Sequence, residues 1–167
     1  MMRRLFIMRH AKAARPTPGQ DDFDRPLTDR GRSDADEIGR VIATEGYAPA
    51  TVICSSAKRT RETLDGLLRS LPGDIEVRMT RNAYGAAPDA LLGLVGATRP
   101  EIAGVMVVGH NPELHTLAIM LTAAAEPLRT GLPTGTLAII GFDTETWENL
   151  PPSGKLLAFH VPRGDSR

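Results

Sequence analysis

Apolar and polar positions alternate between two patterns along this chain: short unbroken apolar runs, and longer stretches with apolar residues every three or four positions. Leu5 to Met8 is the first run and predicts a buried strand over 3–8. Further runs predict strands over 51–54, 75–79, 102–108, 136–142 and 155–161. Helical spacing lies between them. Ala35, Ile38, Val41 and Ile42 share one face of a helix that Thr28 and Asp29 start, a hydroxyl cap followed by a first-turn acid, and that ends at Gly46. Thr60, Leu64, Leu67, Leu68 and Leu71 mark the next, stopped by Pro72-Gly73. Pro88 opens a third with Leu91, Leu92 and Val95, and Pro112 a fourth with Leu114, Leu117, Ala118 and Leu121. Unbroken apolar strands separated by helices predict an α/β fold. Its form is a three-layer α/β/α sandwich with a mostly parallel central sheet, helices on both faces and an antiparallel edge formed by the last two strands.

Composition narrows the picture without overturning it. A chain of 167 residues is expected to fold as one domain over 1–167, burying roughly 70% of its unfolded surface. Twenty Lys plus Arg balance twenty Asp plus Glu, so neither nucleic acid nor an acidic membrane surface is expected as a partner. No apolar run approaches the roughly 20 residues of a membrane span. A lone Cys54 excludes an internal disulfide, which makes a reducing, cytoplasmic setting the expectation.

The strand ends carry the chemistry. The first strand runs into Arg9-His10, the one ending at Val108 delivers Gly109-His110-Asn111-Pro112, and the one ending at Cys54 leads through Ser55-Ser56-Ala57-Lys58 to Arg59. In a parallel sheet such ends share one edge, where ligands collect. A phosphoryl group in transfer spreads charge over three equatorial oxygens and needs fixed cations and an in-line nucleophile. Arg9 and Arg59 can each grip two oxygens with a planar fork. Neutral His10 can attack phosphorus to form a covalent phosphohistidine that water opens. His110, if protonated, adds a third cation, and Asn111 at a helix start favours a bound anion. This chemistry requires no metal and no cofactor.

At these residues the chain resembles the histidine phosphatase superfamily, the phosphoglycerate-mutase-like or RHG family. Its Arg-His-Gly motif reads Arg9-His10-Ala11 here. Its Ser-x-x-x-Arg-Ala-x-x-Thr stretch reads Ser55 to Thr63 with Arg59 at the arginine, and its later Gly-His reads Gly109-His110. Arg25-Pro26-Leu27-Thr28-Asp29-Arg30-Gly31 is similar to the family's entry to the first helix. The Arg-His-Ala-Lys opening and Tyr84-Gly85-Ala86-Ala87-Pro88-Asp89 are most similar to the small SixA-type phosphohistidine phosphatases. The resemblance implies His10 as nucleophile and Arg9, Arg59 and His110 as the rest of a phosphate pocket. It also implies hydrolysis without a metal. A short chain without a lid insertion is expected to leave the pocket open to a phosphorylated protein, such as a phosphotransfer domain or phosphocarrier, with a small phosphate ester as the alternative.

Two departures shape the expectation. Ala11 replaces glycine, which requires a negative φ there. Many family members place a glutamate general acid after the third strand, whereas 77–88 holds no carboxylate and Asn82 occupies that place. An alkoxide leaving group wants a proton from a positioned acid, while imidazole, with a conjugate acid near pKa ~6.5, departs more easily. The missing acid favours a phosphoramidate substrate unless Asp21, Asp22, Asp24 or Asp89 folds in. Other readings carry less. A small-metabolite phosphatase or mutase would use the same scaffold, and a non-catalytic phosphate binder has no need of His10. A cysteine phosphatase loop from Cys54 would place Thr60, not an arginine, at the required spacing. No His-Glu-x-x-His motif suggests zinc. His115 is expected at the surface or in support, and His160 as structural. Arg61 is expected to pair with Asp65 four residues on. Lys12 is expected either to attract anions at the rim or to be a solvated loop lysine, and the Pro-containing loop over 15–24 is a rim or simple connection.

Overall fold

The computed structural model describes residues 1–166. Six strands form one sheet: β1 (Met2–Arg9), β2 (Thr51–Ser55), β3 (Glu76–Thr80), β4 (Gly104–Gly109), β5 (Leu137–Asp143) and β6 (Lys155–His160), in the order β3-β2-β4-β1-β5-β6. The β2–β3, β2–β4 and β1–β4 pairs are parallel, while β1–β5 and β5–β6 are antiparallel. This is the expected mostly parallel sheet with an antiparallel edge. The β1 register places Arg9 beside Gly109, so the two strand ends that carry histidines are neighbours.

The four helices are α1 (Asp29–Thr44), α2 (Lys58–Leu68), α3 (Pro88–Gly96) and α4 (Glu113–Leu121). Strands buried on both faces need two apolar coats, and the core divides accordingly. Phe6, Met8, Val52, Met106 and Val108 pack with Ile38 and Ile42 of α1 and Leu64 and Leu67 of α2. Leu5, Ile7, Ile53, Val105 and Val107 pack with Leu91 and Val95 of α3 and Leu114 and Leu117 of α4. Alternate residues of one strand thus serve opposite layers, each large aliphatic side chain contributing about 1.5–3 kcal/mol.

Boundaries differ from expectation by one to three residues. α2 stops at Leu68, before Leu71, which nonetheless packs in the core. Pro112 sits at the cap of α4 instead of its first helical position. α1 starts as the sequence predicts, with Thr28 Oγ1 accepting the Gly31 N–H at 3.0 Å. The Lys12 carbonyl, accepting from Thr28 N–H at 2.9 Å, would lie 2.2 Å from a Cβ at Gly31. Glycine at 31 therefore lets the chain leaving His10 lie directly on the start of α1. No helix among the described residues is long and apolar enough to cross a membrane.

Candidate active site

The pocket is built at the carboxyl ends of β1, β2 and β4. His10 follows β1, its N–H donating to Gly109 O at 3.0 Å and its carbonyl accepting from Gly135 N–H at 2.9 Å. The nucleophile candidate is thus fixed by the chain ends on either side of it in the sheet. Ala11, fully buried beside Leu27 and Ala35, is absent from the positive-φ residues, so the sterically permissive residue of the motif is not needed here. His10, Arg59 and His110 are 8%, 7% and 7% exposed, and the two imidazole centroids are 5.4 Å apart.

His10 Nδ1 lies 2.7 Å from Ala11 O. A carbonyl only accepts, so the proton is on Nδ1 and the lone pair is on Nε2, the atom left to attack. Burial pushes the His10 pKa down to about 3, with His110, Arg59 and Arg9 pushing the same way against the Ala11 contact. Burial and then Arg59 push His110 down to about 4, while Asp22 pulls it up. With protein groups alone around them both rings are neutral near pH 7, so any positive charge on His110 must come with an anion that offsets the arginines. His110 Nε2 pairs with Ser55 Oγ at 2.8 Å. His110 Nδ1 and Arg59 Nε are buried without hydrogen-bond partners among the described residues, at a cost of about 1–3 kcal/mol each.

Arg9 Nη1 donates to Leu132 O at 3.0 Å. Asn111 Nδ2 donates to the same carbonyl at 2.9 Å. Asn111 directly precedes the α4 cap and meets Arg9 at the Leu132 carbonyl. Arg59, in the first turn of α2, donates through Nη1 to Asp22 O at 2.7 Å and through Nη2 to Asp22 Oδ2 at 2.9 Å.

A carboxylate therefore does enter, from the loop before α1 and not from the segment after β3. Asp22 opens a one-turn 3-10 helix, Asp22–Asp24, capped by Asp21, whose Oδ1 accepts from Phe23 N–H. Asp24 and Asp89 are exposed, as is Asn82. Asp22 also accepts from Tyr84 Oη at 2.7 Å and Arg25 Nη1 at 2.9 Å. Tyr84, Arg25 and Arg59 hold its carboxyl well below the usual range, so it is an anion at neutral pH and no ground-state proton donor. The bond to Asp22 in turn raises the Tyr84 phenol. The loop over 15–24 is consequently more than a connection.

Remaining residues sort simply. Arg61 does not pair with Asp65; its Nε donates to Ser56 O at 2.9 Å, because the nearby carbonyl at the start of α2 is within reach. His115 Nε2 meets Leu128 O at 2.7 Å and His160 Nε2 meets Glu45 Oε1 at 3.0 Å; neither contacts the pocket residues. Lys12 is exposed. Burial pushes the Cys54 thiol up to about 12, which removes it as a nucleophile. Among the described residues no group of three or more His, Cys, Asp or Glu could hold a metal ion. Sequence reasoning missed Ser55, Tyr84 and the Leu132 carbonyl as parts of the site. The first two lie inside stretches whose pattern stood out, but nothing in the pattern assigned their partners.

Known proteins resemble this chain in sequence and fold. The model of the histidine phosphatase superfamily, branch 1, matches residues 5–82. An uncharacterised protein of Mycobacterium leprae is 35% identical over 166 residues, covering 93% of this chain and all of the relative. A Nakamurella multipartitia structure named as a SixA phosphohistidine phosphatase superposes with a TM-score of 0.84 at 30% identity, covering 97% of each chain. One from Agrobacterium tumefaciens, similarly named, superposes at 0.81 and 30% identity over 96% of this chain and 99% of that one. Two arginines and two buried imidazoles at the parallel strand ends, with these likenesses over nearly the whole length, place the chain in the histidine phosphatase superfamily, among its SixA-type phosphatases.

Proposed function

We propose that the protein hydrolyses phosphohistidine borne on another protein, a phosphotransfer domain or phosphocarrier, through a phosphohistidine intermediate on His10 and without metal or cofactor. The observation that carries this reading is the Nδ1–H bond of His10 to Ala11 O, which frees Nε2 beside Arg9, Arg59 and His110. In this mechanism Nε2 attacks phosphorus while the guanidinium forks hold the equatorial oxygens. Water then displaces His10. That no neutral carboxyl stands in the pocket among the described residues supports an imidazole leaving group over an alkoxide, as does the 30% identity to proteins named as phosphohistidine phosphatases. A cytoplasmic location suits a protein whose one cysteine is free and buried.

Brief incubation with labelled substrate should leave an acid-labile, base-stable adduct on His10, and His10→Ala should be inactive. An adduct elsewhere, or full activity in His10→Ala, overturns the mechanism. EDTA should leave turnover unchanged, since the arginines supply the charge that other sites take from an ion; loss in EDTA restored by Mg²⁺ or Zn²⁺ overturns metal independence. For substrate, kcat/KM is compared between a phosphohistidine protein and sugar and glycerate phosphates. A small ester winning by about tenfold, ~1.4 kcal/mol of transition-state preference, would reassign the protein to small metabolites while the His10 mechanism stood.

A further inference from the structure

Beside the phosphate pocket a ring and a carboxylate stand together. Tyr84 is edge-on to His110 with centroids 5.3 Å apart and edge-on to Phe23 at 5.1 Å. Its hydroxyl is bonded to Asp22 Oδ2, which also takes Arg59 Nη2, while Oδ1 takes Arg25 Nη1. A carboxylate offers about four acceptor positions, so these three donors leave one open, on a side chain that is 50% exposed. Behind Phe23, the Arg81 guanidinium lies 4.2 Å from the ring centroid, which fixes the aromatic wall from outside.

We infer that Tyr84 and Asp22 form the leaving-group subsite and that it selects an imidazole carrying a proton on the nitrogen remote from phosphorus, the ring lying against Tyr84 and the N–H donating to Asp22 Oδ1. The inference rests on the phosphohistidine reading and deepens it to the form of substrate recognised. When His10 Nε2 bonds to phosphorus, the substrate P–N bond breaks and its electron pair returns to the departing ring nitrogen. A ring already protonated on its far nitrogen leaves as neutral imidazole; a ring without that proton must leave as an anion. The far proton needs an acceptor that stabilises it, and a fixed carboxylate does so through a charge-assisted bond. His10 is arranged in the same way, with the Ala11 carbonyl holding its far N–H. Phosphoryl transfer between the two rings then moves no proton. In the second step water forms a P–O bond, the His10 P–N bond breaks, and both water protons end on the released phosphate. Asp22, held as an anion, offers an alkoxide leaving group no proton, which gives the subsite its direction of preference.

The test compares phosphoimidazole or phosphohistidine with p-nitrophenyl phosphate, whose leaving group is stable as an anion. In Asp22→Asn, kcat/KM for the phosphoramidate should fall at least tenfold more than for the nitrophenyl ester, about 1.4 kcal/mol of lost discrimination. Tyr84→Ala should show the same selective loss and Tyr84→Phe, which keeps the ring, a smaller one. Equal losses on the two substrates would show that Asp22 only sets Arg59 and would overturn the inference while leaving the phosphohistidine reading standing. A wild-type protein that cleaves nitrophenyl phosphate but not phosphohistidine would overturn that reading, and the inference with it.

Discussion

Arg9, the last residue of β1, and Arg59, in the first turn of α2, meet at one site and are steadied by contacts of different kinds. Arg9 is anchored on a backbone carbonyl, Leu132 O, which also accepts from Asn111. Arg59 is anchored twice on Asp22, through its carbonyl and its carboxylate. The Leu132 carbonyl ties the Arg9 fork to the chain just ahead of β5. The Asp22 carboxylate fixes the Arg59 fork too, offsets part of its charge and makes that cation's field depend on a half-exposed loop residue. The difference teaches that the field at Arg59 can be adjusted from one acidic loop, whereas the Leu132 contact sets where Arg9 sits.

The largest expected effect tests whether both forks act on the transition state. Arg9→Ala and Arg59→Ala should each lower kcat/KM by about 30- to 1000-fold, ~2–4 kcal/mol by comparison with a removed oxyanion donor. The double variant should lose less than the product, because the two act on one group. Folded single variants with unchanged kinetics would dissolve the comparison. A lysine replacement sharpens it. A single ammonium at 59 must serve both Asp22 and substrate without a planar fork, so Arg59→Lys should lower kcat/KM by about tenfold, ~1.4 kcal/mol; unchanged kinetics would mean that the fork at 59 is not needed. Asn111→Ala should be milder, raising KM or lowering kcat by about five-fold, since it removes one neutral hydrogen bond worth ~1 kcal/mol from the Leu132 carbonyl.

The last effect is on stability and not on turnover. Both histidines have folded pKa values, about 3 and about 4, below the free value of 6.5. The unfolded chain therefore binds more protons between those values and 6.5, so stability rises with pH through this window and is complete above it. Melting temperature should fall as pH drops from 6.5 toward 4, and His10→Asn and His110→Asn should each flatten that slope. A wild-type melting temperature constant from pH 7 to 4.5 would show that the imidazoles are not held neutral.

The layers were legible because their causes are local. Apolar runs and three-to-four spacing specify strands and helices wherever packing agrees with them, as at β1 and α1, and a strand end followed by Arg-His is itself a positional signal. Arg59 and His110 came with the same argument. The contacts that distinguish one arginine from the other did not, because Asp22 meets Arg59 across 37 residues, Tyr84 across 62, and Arg9 meets Leu132 across 123. No periodicity encodes such pairings; they are settled by how loops cross the sheet edge. The family pattern pointed to 77–88 for an acid, yet the carboxylate arrived from an acidic loop in which Asp21, Asp22 and Asp24 look alike in composition. Only the 3-10 turn, with Asp21 as its cap, decides that Asp22 faces Arg59. α2 ended early for a similar reason: Leu71 could reach the core without being helical.

Thr63 gives the pocket a ruler. Its single hydroxyl accepts the Ala11 N–H at 3.0 Å and donates to the Arg59 carbonyl at 2.7 Å, so one oxygen spans the turn that follows His10 and the helical turn that carries Arg59. The two groups are then machined to a common gauge rather than assembled from separately tolerant parts. A shift of the first turns of α2 therefore pulls on the Ala11 amide through one hydroxyl, which ties the spacing of His10 and Arg59 to Thr63.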